Sequence, residues 1–455
     1  MILRPYQLEI ARAVLDSVER HKGLTFSVEI ARQGGKNELS AHLEVLLLTM
    51  FMARGGNAVK CSPTFKPQTV ISMMRLRQRL DDFGFDGIWS TEMGYIVRLG
   101  AARQVFLSAE ESSSVVGHTA DILLEIDESQ DVSKDKYTKE FRPMASSSNA
   151  TTVHYGTTWD DCTLLEEIKQ TNLELEKADG VRRHFRFDWQ EVARHNPDYL
   201  AFAEGERFRL GEDHPLFRSQ YALLPIRSGG GFLSHQQIAQ LQGSHARQSR
   251  RRDRNAMYVA GIDLAGESEV TEDLQLTVRG RDATVITIAE VSPSEPGLCG
   301  EPAVRVVEHF CRVGARHTDL YPQLVDLLKN VWGCNRVVVD ATGIGEAVAA
   351  FLRKALGGRV ISFKFTQASK SALGFNLMAA VNSGRLKVYE GDGSVDYREL
   401  MFELERARGV YRPNQTLNFF VEPAEGHDDY LMSLALCVEA ASKISPRRAT
   451  GSFRE

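Results

Sequence analysis

The chain has 455 residues and a mass of 50.8 kDa, which at roughly 150 residues per domain predicts two or three domains. Hydrophobic residues make up 43% and charged residues 25% of the chain, and this balance excludes a disordered or fibrous protein. The formal net charge of −5 excludes a uniformly basic, histone-like nucleic-acid coat, but it leaves room for a local basic channel.

The sequence carries no signal for a membrane or an oxidising compartment. The longest apolar stretch, residues 45–53, has about half of the roughly 20 residues that a membrane span needs. The N-terminus lacks the basic and apolar regions of a secretory signal. The six cysteines are scattered without a CxxC pair or a nearby His at zinc spacing, so neither a disulfide framework nor a zinc site is expected. A reducing cytoplasm is the simplest compartment.

The first half alternates short β-rich runs with helical patterns. In chain order these are LTFSVEI, a long helix after Lys36, NAVKC, a helix near residues 69–81, DILLEID and TTVHYGTT. This alternation is typical of a mostly parallel sheet with helices on both faces.

The second half opens with three β-rich runs separated by short breaks, MYVAGIDL, LQLTVRG and ATVITIAEV, as in an antiparallel meander. Strand and helix patterns then follow in pairs: RVVVD with GIGEAVAAFLRKAL, RVISFKF with SALGFNLMAAVNS, and TLNFFVE with DDYLMSLALCVEA. We therefore predict an α/β chain whose second half is a mixed sheet with helices.

A segment rich in glycine and arginine separates the halves. Its composition predicts a flexible basic linker at 229–255, between a first domain at 1–228 and a second at 256–444, with a disordered tail at 445–455. The C-terminal part of the first domain is a candidate linker subdomain. The linker's basic run is either a solvated surface or a contact for DNA phosphates; it consists of Arg247, Arg250, Arg251, Arg252 and Arg254.

The run ARQGGK at 31–36 lies between a predicted strand and a predicted helix, which is the setting of a phosphate-binding loop. Glycines let backbone N–H groups face phosphates, and Lys36 supplies a charge for the β and γ groups. The match to GxxxxGK[ST] is incomplete, because Ile30 and Asn37 occupy the positions of the first glycine and of the hydroxyl that binds Mg²⁺. Alone, a GGK sequence is most often just a turn. The candidate nucleotide contacts are Arg32, Gln33, Gly34, Gly35, Lys36 and Asn37.

The run DILLEIDE at 121–128 supports this interpretation of the loop. An apolar strand ending in two acids places Asp127 for Mg²⁺ and Glu128 for the attacking water of ATP hydrolysis. The alternative is a buried strand that ends in solvated acids. Gln7, in RPYQ at 4–7, stands where ATP-driven nucleic-acid motors often carry a glutamine that contacts the adenine edge. Thr157 and Thr158 end the next strand, where they either sense the γ-phosphate or are structural.

Acidic residues recur at element ends in the second half. Asp263 ends MYVAGID, Asp340 ends VVVD, and Asp428 and Asp429 open the last apolar helix. Two-metal phosphodiester cleavage needs several carboxylates, because Mg²⁺ or Mn²⁺ ions roughly 3.5 to 4 Å apart repel each other. In an RNase H-like sheet the first and fourth strands are parallel neighbours. Asp263 and Asp340 would then lie side by side, and the last helix would add a third acid.

Within this cluster, Asp263 is expected to bridge both ions. Asp428 is preferred over Asp429 as the direct ligand, and both stay candidates. Glu267 or Asp273 could add a further ligand. The structural alternatives are a helix N-cap at Asp428 and a turn acid at Asp340.

An ATPase with an arginine in its phosphate loop, joined to an RNase H-like nuclease that ends in HDDYLMSLAL, resembles the large terminase subunit of tailed double-stranded-DNA bacteriophages. The resemblance covers nearly the whole chain. Its motifs are RPYQ at 4–7, ARQGGK at 31–36, ILLEIDE at 122–128, GTT at 156–158, GID at 261–263, VVVDATGIGE at 337–346, FTQASK at 365–370 and GHDD at 426–429.

The resemblance implies a P-loop ATPase domain of the RecA/ASCE type followed by an RNase H-like nuclease domain. The first would hydrolyse ATP to drive double-stranded DNA into a procapsid, and the second would cut the concatemer. The implied cofactors are ATP and Mg²⁺, with Mn²⁺ as an alternative at the nuclease site. The implied partners are double-stranded DNA, the portal protein and the small terminase subunit. The resemblance also implies that the chain forms a homo-oligomeric ring on the portal, is a monomer when free, and acts in the host cytoplasm.

Two positions depart from the family pattern. Asn37 replaces the usual Ser or Thr, so Mg²⁺ would use an amide oxygen, a water or Asp127 alone, and hydrolysis could be slow. Val116-Gly117 stands where the family often has Arg-Gly before the Asp of its second ATPase strand. A trans-acting arginine finger at that position is therefore in doubt. The candidates to replace it are Arg98, Arg103 and Arg142.

Two other functions stay open. A helicase-nuclease of a restriction or repair system would need paired RecA-like domains, whereas the sequence shows one loop and one Asp-Glu strand. A nucleotide-binding packaging scaffold with weak ATPase activity is favoured by Asn37 and opposed by Lys36, Asp127 and Glu128.

Overall fold

The computed structural model describes residues 3–113, 115, 117–226, 230–253, 255–264, 283–292, 301–313, 317–343, 345–412 and 414–444. The chain forms two compact units. The first comprises Met1–Glu204 and Pro215–Arg227, and the second comprises Gly205–His214 and Ser228–Glu455.

The first unit is built on one β-sheet. Its strands are β1 (Thr25–Ile30), β2 (Gly56–Ser62), β3 (Trp89–Glu92), β4 (Ile96–Leu99), β5 (Ala102–Ser108), β6 (Leu123–Ile126), β7 (Thr151–Gly156) and β8 (His184–Phe187). Its helices are α1 (Pro5–Glu19), α2 (Lys36–Met50), α3 (Val70–Asp82), α4 (Lys134–Lys136), α5 (Leu164–Asp179), α6 (Trp189–Arg194), α7 (Pro197–Leu210) and α8 (Pro215–Gln220). The last residues of α7 are assigned to the second unit.

The strand order in this sheet is β3-β4-β5-β2-β6-β7-β1-β8. From β5 to β8 all neighbours are parallel, while β3 and β4 add an antiparallel edge. The predicted mostly parallel sheet is therefore confirmed. Since β7 alone separates β1 from β6, the loop after β1 and the acids after β6 lie at the same edge of the sheet, where parallel strands end.

The central strands of this sheet are buried along their whole length. Strands β6 and β7 have no exposed residue, as expected for parallel strands covered on both faces. Several of their polar side chains have hydrogen-bond partners inside the fold, because an unpaired buried polar group is costly. His154, for example, lies 2.9 Å from the Ser129 hydroxyl and 3.2 Å from the Tyr137 hydroxyl.

The second unit contains a six-stranded sheet and a two-stranded hairpin. Its strands are β9 (Met257–Asp263), β10 (Ala283–Ser292), β11 (Ala303–Val313), β12 (Arg336–Asp340), β13 (Val360–Phe363), β14 (Leu386–Val388), β15 (Arg408–Tyr411) and β16 (Leu417–Phe420). Its helices are α9 (His235–Leu241), α10 (His317–Val325), α11 (Gly345–Leu356), α12 (Gln367–Asn382), α13 (Val395–Arg406) and α14 (Asp429–Ser442).

The large sheet has the order β13-β12-β9-β10-β11-β14. Strands β9, β10 and β11 form an antiparallel meander, and β12, the fourth strand, pairs in parallel with β9, the first. This is the RNase H-like arrangement that the sequence predicts. One core of buried side chains, which includes Trp332 and Leu352, covers one face, and a second core, which includes Leu377 and Leu434, covers the other.

One sequence expectation needs correction in this unit, and another falls outside the described residues. TLNFFVE does not join the large sheet, because β16 pairs with β15 in a separate two-stranded hairpin. The third strand of the meander is β11, whereas the predicted run LQLTVRG lies outside the described residues.

The segment expected to be a flexible linker is packed into the second unit over its described residues, 230–253. It contains α9, capped by Ser234, and it buries Phe232, Leu233 and Leu241 in the core. The Phe232 ring stacks on Phe419 with ring centroids 4.8 Å apart. Glycines and arginines suggested a flexible segment, whereas a few apolar side chains pack these residues into the core.

None of the helices in the described ranges combines the length and the apolar character that crossing a membrane requires. Cys61, Cys162, Cys311, Cys334 and Cys437 are free thiols.

Candidate functional site

The loop after β1 is folded by residues in the left-handed region. Gln33 has φ 61° and Gly35 has φ 92°, and α2 begins immediately afterwards at Lys36. Neighbouring segments hold the loop from both sides: Ala31 N–H donates to the Phe187 carbonyl at 2.9 Å, and Arg32 N–H donates to the Gln220 carbonyl at 2.8 Å. The first N–H groups of α2 lack partners within the helix, so this end favours an anion.

Both loop glycines are required by close contacts. A Cβ at Gly34 would lie 2.5 Å from Ile30 Cγ2, and one at Gly35 would lie 2.7 Å from Gln7 Nε2. The sequence motif thus reflects a backbone that larger residues could not adopt without displacing their neighbours.

The RPYQ segment supports the loop directly. The Tyr6 hydroxyl donates to the Gly34 carbonyl at 2.6 Å, and Gln7 Nε2 donates to the Gly35 carbonyl at 2.8 Å. Gln7 Oε1 accepts from Arg4 N–H at 2.8 Å. Both ends of the Gln7 amide are thus engaged within the chain, where it supports the phosphate loop, and its contact with the adenine edge stays a prediction.

The remaining predicted loop residues have mixed surroundings. The exposed Arg32 side chain donates to Gln220 Oε1 at 2.5 Å, and its carbonyl accepts from the Tyr199 hydroxyl at 3.0 Å. Gln33 is exposed, and Asn37 is half-buried in the first turn of α2.

The structure brings the loop and the acid strand together. Lys36 Nζ lies 3.1 Å and 3.3 Å from the two carboxylate oxygens of Glu128. Asp127 is buried, its N–H donates to the Cys61 carbonyl at 2.8 Å, and its Oδ1 accepts from Glu128 N–H at 3.1 Å. Glu128 itself has φ 45°, which turns its side chain towards the loop.

The pKa values of the two acids are shifted in opposite directions. Burial raises the pKa of Asp127, and the charge of Glu128 adds to this, although Lys60 and Lys36 oppose it. Burial alone would also raise the pKa of Glu128, but Lys36 and a hydrogen bond from Gln130 outweigh it and hold that pKa below its ordinary value. The contacts with Lys36 and Gln130 therefore favour the ionised form of Glu128.

A buried ionic cluster beneath these acids was not predicted. Lys60 Nζ on β2 lies 3.0 Å from Glu44 Oε1 and 2.7 Å from the Ser40 hydroxyl, which donates to Glu125 Oε1 at 2.7 Å. Burial, followed by the charge of Glu44, raises the pKa of Glu125 to about 8. The signal in the sequence was the presence of charged residues inside apolar runs, which are rarely buried without partners.

The two threonines after β7 have different contacts. The Thr158 hydroxyl donates to the buried Glu29 Oε1 at 2.6 Å, whereas Thr157 N–H donates to Gln130 Oε1 at 3.3 Å. The structural alternative therefore describes the Thr158 side chain, and a γ-phosphate contact at Thr157 stays a prediction.

In the second unit, register places two predicted acids side by side. Val339 pairs with Ile262 across parallel strands, so Asp340 and Asp263 follow in register at the same end. Backbones of paired strands lie about 5 Å apart, and in-register side chains share a face.

Helix α14 brings the other two acids to this end. It packs closely on β9, where the Ser433 hydroxyl donates to the Gly261 carbonyl at 3.1 Å. A Cβ at Gly261 would lie 2.2 Å from the Ser433 carbonyl oxygen, which explains the glycine of the GID motif. Asp428 and Asp429 begin this helix, and both are half-buried.

The structural alternatives for these acids are resolved in part. Asp428 occupies the N-cap position, but its side chain makes no capping hydrogen bond. Asp429 Oδ2 accepts from Ala283 N–H at 3.1 Å, and Asp340 Oδ1 accepts from Thr342 N–H at 2.8 Å. Asp340 is thus a turn acid with its second oxygen left over.

The carboxylates form a concentrated negative charge. Burial raises the pKa of Asp263 well above its ordinary value, and the charges of Asp429, Asp340, Asp428 and Glu403 raise it further. Such mutual repulsion, with oxygen ligands alone, is the setting that hard divalent cations favour.

Two residues of this site were not predicted to act in it. Burial raises the pKa of Glu403 to about 9, and its Oε2 accepts from Leu431 N–H at 2.8 Å in the first turn of α14. Lys370 is close enough for Asp428 and Asp263 to raise its pKa, although burial has the larger, opposite effect. FTQASK contains this lysine, and Glu403 lies on the buried side of α13 between Leu400 and Leu404; neither pattern alone specifies a role.

Among the described residues, one group of three or more His, Cys, Asp or Glu side chains has all its ligand atoms within 4.8 Å of one another. It is Asp160, Asp161 and Cys162, of which the last two are exposed. The acids of the second unit are more widely spaced than this. Glu267 and Asp273 lie outside the described residues.

The arginine run divides into two parts. Arg247 is committed to the fold: Nη2 donates to Asp396 Oδ2 and to the His309 carbonyl, both at 2.7 Å, Nε contacts Glu308, and its guanidinium lies over the Tyr389 ring. These contacts give Arg247 a role within the fold, and a DNA-phosphate contact at Arg247 stays a prediction. A surface cleft is lined by Arg247, Ser249, Arg250, Arg251 and Arg252. Arg254 lies outside the described residues.

Solved structures share this architecture. The large terminase of a thermophilic bacteriophage matches with a TM-score of 0.55 and 12% identity, covering 96% of this chain and 99% of that chain. The chain has the fold of a phage large terminase. The same phage terminase in complex with ADP matches with a TM-score of 0.54 and 10% identity, and in complex with ATP-gamma-S with 0.53 and 11%, at the same coverage. No family model and no curated protein matches the chain. At these identities the likeness establishes the terminase fold.

Proposed function

We propose that this chain is the ATPase and nuclease subunit of a phage DNA-packaging motor. It hydrolyses ATP to move double-stranded DNA into a procapsid, and it cuts concatemeric DNA by metal-dependent phosphodiester hydrolysis. The observation that carries this proposal is the contact between Lys36 and Glu128, which joins two motifs 92 residues apart inside a terminase fold.

The ATPase role rests on the first unit, and we assign it to residues 1–228. Backbone N–H groups after Gly34 and the charge of Lys36 bind the phosphates. Asp127 would hold Mg²⁺, which neutralises charge on the phosphates during transfer. Ionised Glu128 orients the attacking water and accepts its proton. The thermophilic phage terminase is seen with ADP and with ATP-gamma-S, and we extend nucleotide binding to this chain on the strength of these residues.

The nuclease role rests on the second unit, and we assign it to residues 256–444, with 229–255 as the connecting segment. Asp263, Asp340, Asp428 and Asp429 would hold two Mg²⁺ or Mn²⁺ ions. Such ions activate a water and stabilise the charge on the leaving 3′ oxygen. Asp263 is the candidate for bridging both ions, because the charges of the other three act on it.

The partners follow from the same proposal. They are double-stranded DNA, the portal protein and the small terminase subunit, in the cytoplasm of the host cell. The free chain would be a monomer and would form a homo-oligomeric ring on the portal.

The wild-type chain tests the proposal directly. One preparation should release phosphate from ATP with Mg²⁺ and should convert supercoiled plasmid to nicked or linear DNA with Mg²⁺ or Mn²⁺. EDTA should stop both reactions. A folded preparation that performs neither reaction would overturn the proposal.

A further inference from the structure

We propose that Gln130 is a positioning residue that fixes the carboxylate of Glu128 against the end of β7. The inference rests on the proposed ATPase function and adds to it a residue outside the loop and the Asp-Glu pair.

Gln130 lies in a short 3-10 turn, Ser129–Asp131, directly after Glu128, and it is buried. Its Nε2 donates to Glu128 Oε2 at 2.7 Å and lies 3.3 Å from Asp131 Oδ2. Its Oε1 accepts from Thr157 N–H at 3.3 Å. The Gln130 amide therefore links the Glu128 carboxylate to the backbone that follows β7.

The residue before Thr157 makes room for this amide. A Cβ at Gly156 would lie 2.2 Å from Gln130 Oε1 and 2.6 Å from Leu165 Cδ2. The glycine of the GTT motif is thus explained by the approach of the Gln130 side chain, and not by a positive φ.

Lys36 and Gln130 both contact the Glu128 carboxylate, but a bound nucleotide would compete for only one of them. Lys36 contacts Oε1 at 3.1 Å, but phosphates compete for the same ammonium group. Gln130 contacts Oε2 and has no comparable ligand to bind. Once Lys36 turns to the phosphates, the hydrogen bond from Gln130 is the contact that keeps the carboxylate in place. A donor to an ionised acceptor makes one of the stronger hydrogen bonds in proteins.

The test replaces the amide without changing its length. Gln130→Met keeps the size of the side chain but removes its hydrogen bonds with Glu128, Asp131 and Thr157. Because a misplacement of about 1 Å can cost about 100-fold in rate, we expect kcat for ATP to fall by about 10- to 100-fold. The dissociation constant for ATP should stay unchanged, since the phosphate-binding groups are intact.

Gln104→Met is the matched control. Gln104 is also a buried glutamine of this sheet, on β5, and within the described structure neither atom of its amide has a hydrogen-bond partner. Its replacement should leave kcat and ATP binding at wild-type values. If both variants lose turnover equally, the loss reflects buried polarity in general and the proposal is wrong.

A double-mutant cycle separates positioning from packing. In a Glu128→Gln background the carboxylate is absent, so Gln130→Met should add no further loss. An equal additional loss there, or a wild-type kcat in the single Gln130→Met variant, would overturn the role of Gln130.

Gln130→Glu provides a second route should the methionine variant fail to fold. It keeps an acceptor for Thr157 N–H but cannot donate to ionised Glu128, so kcat should again fall; a wild-type kcat contradicts the proposal. A wild-type chain without ATPase activity would instead refute the proposed function, which is a distinguishable outcome.

Discussion

The two candidate sites handle charge in opposite ways. At the first site two lysines lie beside acids: Lys36 contacts Glu128, and Lys60 lies among Glu44, Glu125 and Asp127. In the second unit several carboxylates act on one another, and Lys370 is a cation whose charge reaches Asp428. Under the proposed function, the first site is assembled before ATP arrives, and the phosphates would replace Glu128 as the partner of Lys36. The second site would be completed by divalent cations.

The largest expected effect comes from breaking the ion pair of the first site. Glu128→Gln removes the proton acceptor and the partner of Lys36, so ATP turnover should fall by about 100- to 10,000-fold. ATP should still bind, because the loop and Lys36 are untouched. Phosphate release gives kcat, and a fluorescent ATP analogue gives the affinity.

Glu174→Gln, on the exposed surface of α5, is the control for the loss of one carboxylate and should behave as wild type. Turnover at the wild-type rate in Glu128→Gln would remove Glu128 from the mechanism.

The repulsion among the carboxylates of the second site is tested by measuring the free energy of unfolding. At about 100 times its dissociation constant, Mn²⁺ should raise the free energy of unfolding by about 2.7 kcal/mol. Asp263→Asn should abolish this gain. It should also raise stability in EDTA, because the pKa of Asp263 is raised by burial and by its acidic neighbours, so that its charge opposes folding.

Thermal unfolding with EDTA and with Mn²⁺ measures both effects. Glu399→Gln, at an exposed position of α13, is the matched control. If Asp263→Asn retains the full response to Mn²⁺, the ion binds elsewhere.

The arginine run allows arginines that line a surface cleft to be compared with Arg247, which forms ion pairs within the fold. Replacing Arg250, Arg251 and Arg252 by Gln should reduce the slope of log K for DNA against log salt by up to about three. Arg247→Gln should act on folding instead, lowering the free energy of unfolding by about 1 to 3 kcal/mol, because Asp396 and Glu308 lose a donor. DNA binding measured across a salt series distinguishes them, and an unchanged slope in the triple variant returns the run to a solvated surface.

The smallest expected effect concerns Asn37. Asn37→Thr restores a hydroxyl in the first turn of α2 and should preserve or raise ATP turnover. A collapse of kcat would show that the amide has a role of its own.

Three of the predicted site residues share a feature that explains why the sequence could indicate where they lie. Asp127, Asp263 and Asp340 follow apolar strands, and the carboxyl ends of parallel strands meet at one edge whatever the details of packing. Glu403, by contrast, reaches its site from the middle of a helix, and its place depends on how α13 packs against α14. Local pattern does not specify that contact.

Other contacts that the sequence did not specify have the same physical origin. The hydrogen bond from Gln7 to the Gly35 carbonyl depends on how α1 packs against the loop. The TLNFFVE run that contains β16 has apolar residues like those of the sheet strands, so pattern alone could not exclude it from the sheet. In residues 230–253 the deciding fact was that a few apolar side chains pack into the core.

One crossed experiment tests the central claim that two independent sites occupy one chain. Wild type, Glu128→Gln and Asp263→Ala are assayed for ATP turnover and for cleavage of supercoiled plasmid with Mn²⁺, from matched folded preparations. Glu128→Gln should lose ATP turnover and keep cleavage without ATP. Asp263→Ala should keep ATP turnover and lose at least about 100-fold in cleavage, since each ion contributes several kcal/mol of charge stabilisation. If either folded variant loses both activities, or if Asp263→Ala still cuts at the wild-type rate, the assignment of two separate sites is contradicted.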